Sequence, residues 1–255
     1  SSNFGSGSVE LFAPGTEVYS LSNNPASPYA TLSGTSMAAP YVTGALALVK
    51  AQFPNDTYRQ LINRVLRSVD PIPALVGRAQ TGGRLNLDRA LRSTTNRPFN
   101  DDFATRARIR GENLAIRTEN SSATTETEPP IAGVTAGGTL WWEWTAPVNG
   151  LVRISTAGSA YDTVVGVFTG TALNALATVA ANDDDTGRAT SRLEFSAQAG
   201  ATYQIAVGSK GGTSGLTLMD IGSIPANDSF ASAQTIRRRD SVAPVRASQS
   251  VMGPG

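Results

Sequence analysis

The 255-residue sequence predicts two folds in succession: an α/β segment over residues 1–92 and an all-β antiparallel sandwich, jelly-roll-like, over residues 98–222, with a linker at 93–97. Three observations carry this reading. Met37 to Val49 is Ala, Val, Leu, Met and Gly on nearly every face, too apolar for a surface helix, and a second, amphipathic helical pattern follows it. After the polar, aperiodic stretch Ser93-Thr94-Thr95-Asn96-Arg97-Pro98 the pattern becomes short alternating runs with turn signals every ten residues or so, the spacing of a sandwich. Finally, Pro98, Asn100, Asp101, Phe103, Ala104 and Ile109 recur as Pro225, Asn227, Asp228, Phe230, Ala231 and Ile236, so residues 223–255 read as the truncated start of a second copy, with 224–255 expected to be poorly ordered or to borrow contacts from elsewhere.

Each element has its own signal. Val9 to Phe12 reads as a strand closed by Ala13-Pro14-Gly15, and Glu17 to Leu21 as another. Tyr29 to Leu32 approaches the head of the apolar helix, where Ser33, Gly34 and Thr35 supply hydroxyl caps and a permissive glycine. Pro40 lacks an N–H and suits a first helical turn. Thr57 to Gln60 is a capping box opening a helix whose apolar stripe is Tyr58, Leu61, Ile62, Val65, Leu66 and Val69, with Arg59, Asn63, Arg64 and Arg67 facing away. Gly82 to Leu91 has no strong signal of its own but resembles the strand and helix that close a known α/β fold. In the second part the strand candidates are Thr139–Thr145, Leu151–Thr156, Thr163–Thr169, Arg192–Ser196, Thr202–Val207 and Leu216–Ile221. Strand alternation puts Trp142 and Trp144 on one face and Trp141 on the other, which favours core packing over a sugar-stacking platform.

Composition narrows the function. The net charge of +1 divides into a basic first part and an acidic second part, with no nucleic-acid footprint. Cysteine is absent, which rules out disulfides and thiolate metal sites and suits a bacterial secreted protein as well as a cytosolic one. The first residues show neither the basic nor the apolar region of a signal peptide, and no apolar run is long enough to span a membrane.

The chemistry centres on Ser36. At the first turn of a helix its hydroxyl sits beside backbone N–H groups that have no intrahelical partner and favour negative charge, as a tetrahedral oxyanion requires. An ordinary N-cap would use the same residue types. The full string decides: Gly34-Thr35-Ser36-Met37-Ala38-Ala39-Pro40, followed by Tyr41-Val42-Thr43-Gly44-Ala45 and preceded by Phe12-Ala13-Pro14-Gly15, resembles the nucleophile region of the subtilisin-like serine proteases. The resemblance covers residues 1–92, about the last third of such a catalytic domain. It implies an α/β parallel-sheet fold, protein or peptide substrates, no cofactor for the chemistry, Ser36 as nucleophile and backbone oxyanion donor, Thr35 as support of that hole, and Ser33 and Gly34 as substrate contacts. Tyr41 stands where many members carry His, a packing position.

The family's Asp, His and oxyanion Asn all lie upstream of the residues matched, and this sequence contains no histidine. The chain is therefore expected to begin inside the enzyme, to need the preceding part of its own catalytic domain as partner, and to be inactive alone. Its apolar helix is expected to be underpacked. The phrases Leu140 to Pro147, Tyr161 to Gly170 and Asn182-Asp183-Asp184 resemble the bacterial pre-peptidase C-terminal domains of secreted proteases, which implies an extracellular location. Asn100, Asp101, Asp102, Asp162, Asn182, Asp183 and Asp184 are candidate ligands for a structural calcium ion if their loops converge, against the commoner use of Asn and Asp in turns. A rival reading from another class is a binding or adhesive protein with a relic protease segment.

Overall fold

Among residues 2–225, which the computed structural model describes, the chain opens with an extended stretch that joins no regular strand. Of the predicted strand Val9–Phe12, only Phe12 forms a bridge, to Arg84 in parallel orientation. Even so, Val9 and Glu10 accept from the N–H groups of Gln80 and Thr81, Phe12 donates to Gly83, and Leu85 donates to Phe12. Next come an antiparallel hairpin of β1 (Val18–Asn24) and β2 (Ser27–Leu32), then α1 (Thr35–Gln52) and α2 (Tyr58–Arg67). The short pair β3 (Asp70–Pro71) and β4 (Gly83–Arg84) and the helix α3 (Leu87–Leu91), capped by Asn86, close the segment.

The predicted burial of Met37–Val49 does not hold. Within α1 only Ala45 and Val49 are buried, against Leu61 and Val65 of α2 and Ala90 of α3; Tyr41 and Leu48 are exposed. The helix is apolar all round because its sequence is, but α2 and α3 cover one side of it, with Leu11 of the extended stretch beside them, and its other residues are half-buried or exposed. The expected underpacking is what the structure shows.

The capping box of α2 forms as predicted: the Thr57 hydroxyl accepts from Gln60 N–H, and the Gln60 side chain accepts from Thr57 N–H at 2.9 Å. Its polar face is a correction. Asn63 and Arg64 are 6% and 7% exposed, while Tyr58 and Ile62 of the apolar stripe lie open. The reason is that residues 93–98 pass across the polar face and give it hydrogen-bond acceptors.

The second part is a two-sheet sandwich built from β5 (Ala107–Arg110), β6 (Leu114–Glu119), β7 (Gly137–Thr145), β8 (Gly150–Ser155), β9 (Thr163–Thr169), β10 (Ala177–Asn182), β11 (Arg192–Ala197), β12 (Thr202–Ser209) and β13 (Leu216–Ser223). One sheet has the order β10-β9-β12-β7-β5 and the other β11-β8-β13-β6. From β6 onward the chain changes sheet at every step except the β9–β10 pair, which is the eight-strand jelly roll. One detail departs from an all-antiparallel sandwich: β5 adds to β7 in parallel. Trp142 and Trp144 lie in the core between the sheets with Ile154, Phe195, Tyr203 and Ile205. Trp141, on the opposite face, packs with Phe103, Ile131 and Phe168. All three indoles are buried, so they form no sugar-stacking platform. The second copy of the repeat, from Asn227 onward, and the expectation about its order lie outside the described residues.

Candidate active site

Ser36 is the second residue of α1, and its position depends on a glycine pair. Gly34 is the N-cap at φ 155°, ψ 168°, a region essentially restricted to glycine. Its N–H donates to the Gly15 carbonyl at 2.7 Å, and a Cβ on Gly15 would lie 2.7 Å from the Gly34 oxygen. The tight approach of Gly15 thus sets where the helix begins. Proline-glycine punctuation was the one sequence signal for it.

No side chain caps α1. The Ser33 hydroxyl, expected as a cap or substrate contact, accepts instead from the Glu17 N–H at 2.8 Å, and Glu17 itself sits at φ 53°. The first helical bond is Met37 N–H to Gly34 O at 3.0 Å, so the N–H groups of Thr35 and Ser36 precede the helical ladder, and both residues are exposed. Pro40 lies in the second turn, not the first, and leaves the Ser36 carbonyl without its i+4 donor. A capping serine would have spent its hydroxyl on this helix end. Ser36 does not.

An open cleft of about 800 Å³ runs beside the N-terminal half of α1, between the extended stretch carrying Val9, Leu11 and Ala13 and the helix residues Ala38, Ala39 and Val42, with Thr35 at its edge. Neither lysine in the sequence stands near Ser36 as a base. Lys50 donates to the carbonyls of Pro54 and Asp56 at 2.7 and 3.1 Å, closing the C-terminal end of α1.

The candidate calcium ligands separate into two groups. Asp162, Asp183 and Asp184 offer carboxylate oxygens within 4.8 Å of one another. Lys210 reaches into this group, 2.5 Å from Asp183 and 3.7 Å from Asp184. Burial pushes the Asp162 carboxyl above its ordinary range, reinforced by Asp184 and Asp183 and opposed by Lys210. One oxygen each of Asp162 and Asp183 is shielded from solvent and has no hydrogen-bond partner, so the donor set suits a hard cation that could displace the ammonium. The other candidates have hydrogen-bond partners of their own. Asn182 accepts from Arg192 N–H, Asp101 from Arg97 and Thr124, and Asp102 from Arg67 and Arg97, while Asn100 donates to the Trp141 carbonyl.

With this geometry in view, the matches to known proteins fall on the same stretch. Residues 1–102 match the subtilase family. This segment is similar to that family. The subtilase segment is 37% identical over 82 residues to Subtilisin-like protease 1 of Plasmodium vivax, covering 32% of this chain and 13% of that protein. It is 49% identical over 67 residues to the Intracellular serine protease of Paenibacillus polymyxa, covering 23% of this chain and 20% of that one. The chain thus spans a fifth or less of these relatives' own lengths. A solved structure of the pre-peptidase C-terminal domain of a collagenase from Bacillus anthracis aligns with 45% of this chain and 91% of its own, at 13% identity and a TM-score of 0.32. No helix among the described residues is long and apolar enough to cross a membrane.

Proposed function

We propose that this chain carries the nucleophile-bearing part of a secreted serine endopeptidase of the subtilisin type, with the jelly roll as an accessory module. The observation that carries the reading is Ser36 itself: an exposed hydroxyl, unused for capping, beside free first-turn N–H groups, within the subtilase segment. In the reaction the Ser36 oxygen bonds to the carbonyl carbon of a peptide and its proton passes to an imidazole supplied by sequence outside these 255 residues. The carbonyl oxygen becomes an anion held by the Ser36 N–H and an outside Asn, with Thr35 behind it. Collapse breaks the C–N bond, the amine leaves with the proton, and water then hydrolyses the acyl-serine. Of the expected substrate contacts, the Gly34 N–H donates to Gly15 and its carbonyl accepts from Met37, and the Ser33 hydroxyl is committed to Glu17.

The same reading assigns the cleft beside α1 to the rest of the catalytic domain, whose apolar strands would cover Ala38, Ala39 and Val42. Co-expression of this chain with the preceding portion of its gene, followed by treatment with a serine-directed fluorophosphonate, tests it. Labelling should fall on Ser36 and vanish in Ser36→Ala; labelling that persists in that variant, or fails on a folded complex, would refute the assignment.

A further inference from the structure

We infer that the jelly roll is a fixed brace for the helix that carries Ser36, held by α2 and by residues 93–98 acting as a hydrogen-bonded strap, so that the two parts open and resist cleavage as one unit. This does not depend on the chemistry assigned to Ser36.

The strap is bound through its backbone. Arg64 donates to the carbonyls of Ser93 and Thr95 at 2.7 and 3.4 Å, Asn63 to that of Asn96 at 3.1 Å, and Arg67 to that of Pro98 at 2.7 Å. In a solvated linker those carbonyls would face water; here side chains from one helix face take them up. Arg64 is also the junction to α1: its guanidinium lies 3.6 Å from the centroid of Phe53, the C-cap of α1, and its Nε donates to Asp56 at 2.6 Å. On the far side Arg67 pairs with Asp102, while Arg97 bonds Asp101, Asp102 and Thr124, the Asp101 side chain being fully buried.

Other contacts reach the sandwich directly. Leu66 packs against the inter-sheet core, Arg59 pairs with Glu119 of β6 at 2.8 Å, and Gln60 donates to the Ser122 hydroxyl at 3.2 Å. The buried Ser6 hydroxyl accepts from the Arg110 N–H on β5 at 3.0 Å. A continuous path therefore runs from α1 through Phe53 and Arg64 to the strap, and from the strap to the jelly roll. Cleavage of the strap requires first opening it, and opening it takes from Asn63, Arg64 and Arg67 the carbonyl acceptors that the strap supplies.

Hydrogen exchange and limited trypsin digestion of the 255-residue chain test this. The amides of Ser93, Thr95 and Arg97 should exchange at least about 100-fold more slowly than that of the exposed Gly187. Trypsin should cut after the exposed Arg188 at least about tenfold faster than after the exposed Arg92, and calorimetry should show one transition. Arg64→Ala and Arg67→Ala should each speed the cut after Arg92 without speeding that after Arg188. Should neither variant fold, the exchange measurement on the unaltered chain decides alone. Strap amides exchanging within about threefold of Gly187, a faster cut after Arg92 than after Arg188, or two separated transitions would overturn the inference.

Discussion

The amide of Gly34 donates to the carbonyl of Gly15 at 2.7 Å, across a contact that leaves no space for a side chain on Gly15. Gly15→Ala and Gly34→Ala should therefore both destabilise the head of α1, the second by about 1–3 kcal/mol for its forced φ. Gly44→Ala is the control. Nothing lies within 4 Å of a Cβ there, in the interior of the same helix, so alanine should stabilise by about 0.5–1 kcal/mol. Urea titration followed by circular dichroism reads all three, and equal effects would contradict the assigned role of the pair.

A serine needs a neighbouring base, and this sequence has no histidine. Lys50 is tied to the end of its helix, about 21 Å along the axis from Ser36, and Lys210 is tied to Asp183 and Asp184. The chain alone should hydrolyse casein no faster than its Ser36→Ala variant. Turnover that disappears with that substitution would reveal a base other than these.

Several parts of this arrangement were legible in the sequence. Thr163–Thr169 emerges with the predicted bounds, and the faces of the three tryptophans follow from strand alternation. Three sandwich strands escaped the pattern: β5 and β6 carry arginines on their outer faces, and β10 is an Ala-rich edge strand with no buried position. In α1, hydrophobicity was read as burial, but burial also needs a partner layer, and a helix does not encode whether one is present. The same limit hid the fates of Asp101 and Asp102: their cations, Arg97 and Arg67, come from segments whose proximity only the fold creates.

Acid should act on the loop before β7. Burial, with smaller contributions from Glu126 and Asp101, pushes the Glu128 carboxyl above its ordinary range, against hydrogen bonds from the Thr139 hydroxyl and Glu126 N–H. The native state then holds this proton to a higher pH than the unfolded chain does. Ionisation of Glu128 thus costs native stability, a cost absent below the ordinary glutamate range and complete above the raised folded value. Glu128→Gln should raise Tm relative to the parent at pH 7, and the gain should shrink at pH 3.5. A gain that grows on acidification would reverse the sign.

A calcium ion held by Asp162, Asp183 and Asp184 would have to displace the Lys210 ammonium from Asp183 and Asp184. Removing the ammonium in Lys210→Ala leaves Asp162, Asp183 and Asp184 uncompensated, so that variant should lose stability in chelator and regain it with calcium. Its rise in Tm between chelator and millimolar calcium should exceed that of the parent chain. Identical melting of the variant with calcium and with chelator would exclude the cation site.

All three tryptophans of the sequence fall at positions 141, 142 and 144, on one strand of the jelly roll, and the subtilase segment has none. Indole emission from this protein is therefore a local dye for one sheet, silent about the helix of Ser36. Four of the six tyrosines lie at the other end, among them Tyr19 and Tyr29, stacked with ring centroids 5.4 Å apart on the hairpin that leads into that helix; with Tyr161 and Tyr203 of the jelly roll replaced by Phe, tyrosine emission reports on that end. Read together at their separate wavelengths, they show in one sample whether disturbance at the nucleophile reaches the sandwich.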